Sequence, residues 1–243
     1  MQVSLNEIQR LCQKAAEGAG VPAGLDTEVA QATSWLLAHG FSVLNDLATT
    51  LENLSGQSYR FSAAELHSDT LNASTKAGPL IIPGLVDLLI ARSPAKLTVH
   101  NLDSPCYLLP AALRYATQGW CLSFELSLPA GQRFVVNTNS AGPVILGLEK
   151  NGPAVLLSSN TLLRTERVNA VGVASDYGIA DRAGFSVSLD QSTLAIANAR
   201  SHANGVQMDS CSWQRLHALA LKVLVPSSAS SRQGAGALRS DTE

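Results

Sequence analysis

Cys121-Leu122-Ser123-Phe124-Glu125-Leu126-Ser127-Leu128 decides the fold class of this 243-residue chain. Leu122, Phe124, Leu126 and Leu128 alternate with Ser123, Glu125 and Ser127, the period of two that marks a strand with one packed and one wet face. Pro129-Ala130-Gly131-Gln132 reads as a hairpin connection into a second run at 133–138. Short runs at 97–100, 144–148, 154–157 and 171–174 are further strand candidates, separated by turn formers such as Gly142-Pro143. Residues 108–117 fit strand or helix, and periodicity does not choose between them.

Before Pro94 the period lengthens to that of a helix. Ser4 and Glu7 form an S-x-x-E capping box, flanked by Val3 and Ile8 in the positions of a hydrophobic staple. Leu5, Ile8, Leu11, Cys12 and Ala15 make one apolar stripe, and Gly18 and Gly20 end it. Pro22 and Asp26 begin a second helix that carries Val29, Ala32, Leu36 and Leu37 and stops at Gly40. His39 lies where an imidazolium would favour the C-terminal end of that helix. A third helix is expected at 43–54, closed by Gly56. Residues 57–78 are polar and mixed, and Pro83 opens a fourth helical pattern with Leu85, Leu88 and Leu89. A late helix at 210–225 carries Trp213, Leu216, Leu219, Ala220 and Val223, and Pro226 stops it. The expected fold class is therefore α+β: a helical part over 1–93, a strand-rich part with a closing helix over 94–226, and a Ser/Gly-rich tail over 227–243.

Composition bounds the function. Seventeen basic and 19 acidic residues give a net charge of −2, and 46% of the chain is apolar. This excludes a disordered chain, and with no basic block it argues against nucleic-acid binding. The most apolar window, 80–91, is interrupted by Pro83, Gly84 and Asp87 and is too short to span a bilayer. The opening Met1-Gln2-Val3-Ser4-Leu5-Asn6-Glu7 has neither the basic region nor the apolar stretch of a signal peptide. Cys12, Cys106, Cys121 and Cys211 are scattered, without a CxxC pair, as reduced thiols of a cytoplasmic protein are. Only 15% of residues are charged, against about a quarter in an ordinary soluble domain. Interface cores are depleted in Lys, Glu and Asp, so a homo-oligomer or a heteromeric protein partner is expected to cover part of the surface.

Two polar stretches could carry chemistry. His100-Asn101-Leu102-Asp103-Ser104-Pro105-Cys106 brings an imidazole, a carboxylate and a thiol together, the ingredients of a thiolate nucleophile with His100 as base and Asp103 as orienter. The plainer reading is an Asx-type turn before Pro105, with Cys106 a small core residue. Arg200-Ser201-His202-Ala203-Asn204-Gly205 offers His202 as acid/base and Arg200 as an anchor for a substrate carboxylate. The plainer reading there is a surface hairpin, Asn204-Gly205 supplying a type I′ turn. His67 and His217 have no carboxylate or thiol at ligand spacing, so no metal site is expected. Gly18-Ala19-Gly20 follows a helix rather than a strand and Pro22 removes an amide, which rules out a dinucleotide loop; no cofactor is implied. In the tail, Arg232 and Arg239 flank Gly234-Ala235-Gly236-Ala237. This is either a docking segment in which Arg232 grips a carboxylate, or a frayed end.

The two ends of the chain suggest a family. The opening through Ile8, Cys12-Gln13-Lys14-Ala15-Ala16-Glu17-Gly18-Ala19-Gly20, and Val225-Pro226-Ser227-Ser228-Ala229-Ser230-Ser231-Arg232-Gln233-Gly234-Ala235-Gly236-Ala237 resemble an uncharacterised bacterial family, domain of unknown function 3726. The resemblance implies a single family unit spanning the chain and brings no activity with it. The helical opening followed by Ala38-His39-Gly40-Phe41-Ser42 is also similar to the start of the malate and lactate dehydrogenases that lack a Rossmann fold. Those enzymes place a Ser-His-Gly motif soon afterwards. Here Phe41-Ser42-Val43-Leu44 follows without a histidine, so no catalytic role is carried over, and such openings are common enough for coincidence to explain this one. The leading expectation is an accessory or assembly subunit. The rival is a small-molecule enzyme, hydrolase-like at a Cys/His site, and the third possibility is a metabolite-binding module.

Overall fold

The computed structural model describes residues 1–92, 95–116, 118, 120–127, 133–139, 142–147, 164–173, 187–189 and 191–223. Helix and strand are mixed. Helices α1 (Leu5–Gly18), α2 (Leu25–Ala38) and α3 (Leu44–Glu52) come first, preceded by a short strand β1 (Gln2–Val3). Strand β2 (Thr70–Asn72), helix α4 (Gly78–Ala91) and strand β3 (Ala95–Asp103) follow, then α5 (Leu108–Ala116), β4 (Cys121–Ser127), β5 (Arg133–Asn139), β6 (Gly142–Gly147), β7 (Arg164–Val173) and β8 (Val187–Leu189). Helix α6 (Gln191–Asn204), strand β9 (Val206–Gln207) and helix α7 (Ser210–Ala220) complete the described elements.

The first two helices end in the same way. Both carry a Schellman motif: Gly20 and Val21 donate to Glu17 and Ala16 after α1, and Gly40 and Phe41 donate to Leu37 and Leu36 after α2. The glycines sit at φ +88° and +90°, and the following Val21 and Phe41 are buried. At the other end of α1 the capping box forms as expected, with Glu7 N–H donating to Ser4 Oγ at 3.3 Å and Ser4 N–H to Glu7 Oε2 at 3.0 Å. Its stripe of Ile8, Leu11, Cys12 and Ala15 is buried. Gly18 has a second role: a Cβ there would lie 2.0 Å from the Leu219 carbonyl oxygen, so α1 and α7 pack at backbone contact.

β2, β3, β7, β4, β5, β6 and β8 form one sheet in that order. β2 and β3 are parallel, joined through α4, and every other pairing is antiparallel. Leu122 and Phe124 of β4 and Leu97 and Val99 of β3 are buried, as alternation requires. The pattern fails at Asn101, whose φ is +56°: Leu102 and Asp103 are consecutive and both buried. The core runs from α1 and α2 through α4 and α5 to these strands.

Two expectations need correction and one open stretch is decided. α4 begins at Gly78, so Pro83 lies inside the helix instead of opening it. Its missing amide removes only the bond to the Pro79 carbonyl, close to the helix start. The undecided 108–117 stretch is helix α5. Residues 200–204 belong to α6, and Gly205, at φ +71°, follows its last residue, so Asn204-Gly205 closes a helix and not a hairpin. The hairpin connection at 129–132, the strand candidate at 154–157 and the tail with Arg232 and Arg239 lie outside the described residues.

Candidate functional site

The corner between α2 and α3 and the wall formed by α6 enclose an open cavity of about 1160 Å³. The corner contributes Gly40, Phe41, Ser42 and Asn45; α6 contributes Thr193, Ile196, Arg200, Ser201 and Asn204. Local structure fixes both sides. The Schellman turn at Gly40 swings Phe41 into the core and leaves Ser42 exposed beside it. From α7, Arg215 donates to Asn45 Oδ1 at 2.7 Å, to Thr49 Oγ1 at 2.9 Å and to both oxygens of Glu52, a fork that holds Asn45 at the cavity edge. The far rim is tied down by β1 and β9, which pair antiparallel through Gln2↔Gln207 and Val3↔Val206. Asp209 caps α7, accepting from the amides of Cys211 and Ser212. The bonds from Ser212 hold its carboxyl below the usual carboxylate range.

Arg200 is exposed on the cavity wall and forms no ion pair among the described residues. The contrast with Arg114 is direct. That guanidinium edges a smaller cavity of about 270 Å³ between α2, α4 and α5, but Glu28 at 2.6 Å and Asp87 at 2.8 Å already occupy it. His202 is exposed two residues beyond Arg200, so the structure brings these two candidates onto one helix. No histidine lines the larger cavity among the described residues. His39, at the C-cap of α2, stacks on Trp35 with ring centroids 3.9 Å apart, and its Nδ1 lies 2.7 Å from the Trp35 carbonyl oxygen. Burial pushes its pKa down, so it is a neutral cap rather than the imidazolium expected to meet the helix dipole.

The His100 to Cys106 stretch is arranged otherwise. His100 is half-buried on β3, in register with Asn72 of β2 and Arg167 of β7. Cys106 is buried in a short 3-10 turn, where its thiol donates to the Ser104 carbonyl at 3.8 Å. Burial, reinforced by Asp46, pushes that thiol's pKa up, the direction that opposes a thiolate nucleophile. Asp103 is buried at the end of β3, and Ser104 takes the left-handed region at φ +52°. Sequence reasoning missed Asn45, Arg215 and Asp46. Asn45, Thr49 and Glu52 form a polar stripe at helical spacing along α3, which was the available signal for an Arg215 partner.

Among the described residues no group of three or more His, Cys, Asp or Glu side chains could hold a metal ion, and no helix is long and apolar enough to cross a membrane.

Residues 3–78 match the family model described as Protein of unknown function (DUF3726), which supports the resemblance drawn from the chain's opening. A search of curated proteins finds no match to the sequence. Solved structures are more informative about fold. A dehydrogenase from Sinorhizobium meliloti matches with a TM-score of 0.57 at 12% identity, covering 90% of this chain and 99% of that one. Sulfolactate dehydrogenase from Methanocaldococcus jannaschii matches with a TM-score of 0.57 at 9% identity, covering 92% and 97%. A putative malate/lactate dehydrogenase from E. coli matches with a TM-score of 0.56 at 10% identity, covering 96% and 98%. At such identities these likenesses show a common fold and leave activity open. They cover the helical opening together with the rest of the described fold, as shared architecture alone.

Proposed function

We propose that the protein binds a small carboxylate in the cavity between the α2–α3 corner and α6, as a metabolite-binding module on a dehydrogenase fold. The observation that carries this is Arg200, a guanidinium on the cavity wall with no ion-pair partner among the described residues. A fixed cation in a concave site selects anions, and a guanidinium matches a carboxylate in shape as well as charge. Ser42, Asn45, Ser201 and Asn204 add neutral donors and acceptors suited to hydroxyl or keto groups on the same ligand. The proteins with this fold include ones named for malate, lactate and sulfolactate, all small hydroxy-carboxylates.

Thermal unfolding in the presence of malate, lactate or sulfolactate tests the reading. At about a hundredfold excess over Kd, a ligand selective for the folded chain raises Tm by roughly 5 °C or more. Arg200→Ala removes that shift. No shift with any small carboxylate, or an equal shift in Arg200→Ala, contradicts the proposal.

An accessory role in an assembly keeps one specific support. Ile196 of α6 is 71% exposed at the cavity, an apolar side chain that a partner would cover. Light scattering after size exclusion gives a mass above that of the monomer if so. A monomer at micromolar concentration removes this second reading and leaves the first untouched.

A further inference from the structure

The smaller cavity of about 270 Å³ shares no lining residue with the one that holds Arg200. α2 presents Ala32 and Trp35 to it, α4 presents Pro79 and Pro83, and α5 presents Pro110 and Ala111. The sequence keeps this space open. Alanines stand on α2 and on α5 where longer side chains would fill the gap, and a proline ring has no rotamers with which to fold into it. Pro79 and Tyr107 are buried at its floor, and Ala32, Trp35 and Ala111 pack against the core. His39 stacks on the Trp35 ring at 3.9 Å and fixes the indole. The walls are thus set before any ligand arrives, as in most small-molecule sites.

The charged and hydroxyl groups around the space are already engaged with one another. Arg114 Nη1 donates to Glu28 at 2.6 Å and Nη2 to Asp87 at 2.8 Å, and the Tyr115 hydroxyl donates to the same Asp87 oxygen. At the floor, Thr33 Oγ1 donates its one proton to the Val29 carbonyl at 2.7 Å. The Tyr107 hydroxyl, 2.8 Å from Thr33 Oγ1, is therefore the donor in that pair and keeps no proton for the cavity. Gln31, exposed at the edge, carries no charge. A charged ligand group would leave water for apolar walls whose neighbouring ions already hold one another. A neutral apolar group gains by making the same move.

We propose that this cavity is a second binding site, independent of Arg200, that takes a neutral apolar group: an aromatic ring or a branched aliphatic end with at most a short substituent. At the roughly 30 Å³ that a water-sized group occupies in a liquid, the space holds about nine such groups. A single ring with a short substituent fits that size, and a nucleotide does not. With no lining residue in common, a ligand here and a carboxylate at Arg200 bind without competing.

Toluene, benzyl alcohol, benzoate and benzylamine have similar shapes and different charges, and each is titrated into the full chain while the Trp35 indole N–H is followed by NMR. Toluene and benzyl alcohol shift that signal saturably and give nuclear Overhauser contacts to Trp35, whereas benzoate and benzylamine bind at least about tenfold more weakly. Ala111→Phe and Ala32→Leu fill the space and weaken toluene binding at least about tenfold, and Arg200→Ala leaves it unchanged. The absence of a saturable shift with either neutral probe overturns the proposal. So does tighter binding of benzylamine or benzoate, unaltered toluene affinity in the filled variants, or its loss in Arg200→Ala. Should one filled variant fail to fold, the other and the Overhauser contacts in the wild type decide the matter.

Discussion

The two polar stretches that stand out in the sequence meet opposite fates. The one from His100 to Cys106 is drawn into the core: Asp103, Ser104 and Cys106 are buried against α3 and α4. The one from Arg200 to Gly205 lies along the wall of an open cavity, with its arginine exposed. Similar ingredients thus give a sealed cluster in one place and an accessible surface in the other. The difference is set by what packs above each stretch, not by its composition. Burial pushes the Asp46 carboxyl and the Cys106 thiol up, towards their neutral forms, whereas Arg200 stays exposed on the cavity wall.

Gly78→Ala should break the sealed half most strongly. Its Cβ would need the space of the Asp103 carbonyl oxygen, 2.1 Å away, and helix and strand must separate. A loss of about 3 kcal/mol in urea denaturation is expected; a variant as stable as the wild type would show that α4 does not close over Asp103.

Thiol labelling compares the two regions in one experiment. Cys211 is exposed, while Cys12 and Cys106 are buried, and burial pushes the Cys12 thiol up to about 12. At neutral pH in the native protein, Cys211 should react at least about a hundredfold faster than Cys106. Comparable rates would place Cys106 within reach of solvent and revive the nucleophile reading of His100, Asp103 and Cys106.

The smallest effect is expected from Arg200→Ala and His202→Ala on stability. Both side chains are exposed, and each change should stay within about 0.5 kcal/mol. A larger loss would mean that Arg200 supports the fold instead of waiting for a ligand.

The helix ends were legible because they are local devices. Ser4 with Glu7, Gly20 and Gly40 act through bonds within a few residues, and no distant contact can alter their meaning. Alternation likewise located β4. α6 was not legible. Its sequence, Gln-Ser-Thr-Leu-Ala-Ile-Ala-Asn-Ala-Arg-Ser-His-Ala-Asn, has no well-defined apolar face, and only Leu194 is buried among its described side chains. Asn204-Gly205 also serves a helix end as readily as a hairpin, because both need a positive φ.

The candidate site was half visible for a related reason. Arg200 announced itself as a cation in a polar stretch. Asn45 and Arg215, 170 positions apart, meet only through the packing of α7 on α3. Asp46 is an acid in the first turn of a helix, a common placement that gives no sign of burial. Asn101 likewise gives no sign in sequence of the left-handed kink at which Leu102 and Asp103 are both buried.

Calorimetric titration of the full chain with malate, lactate and sulfolactate, on wild type and Arg200→Ala in parallel, probes the cavity most directly. At least one of these carboxylates should bind the wild type, with affinity at least about tenfold weaker after the substitution, the loss expected for one charge-assisted contact. Equal affinity in both proteins, or no binding to the wild type at millimolar ligand, contradicts the assignment of a carboxylate site to Arg200.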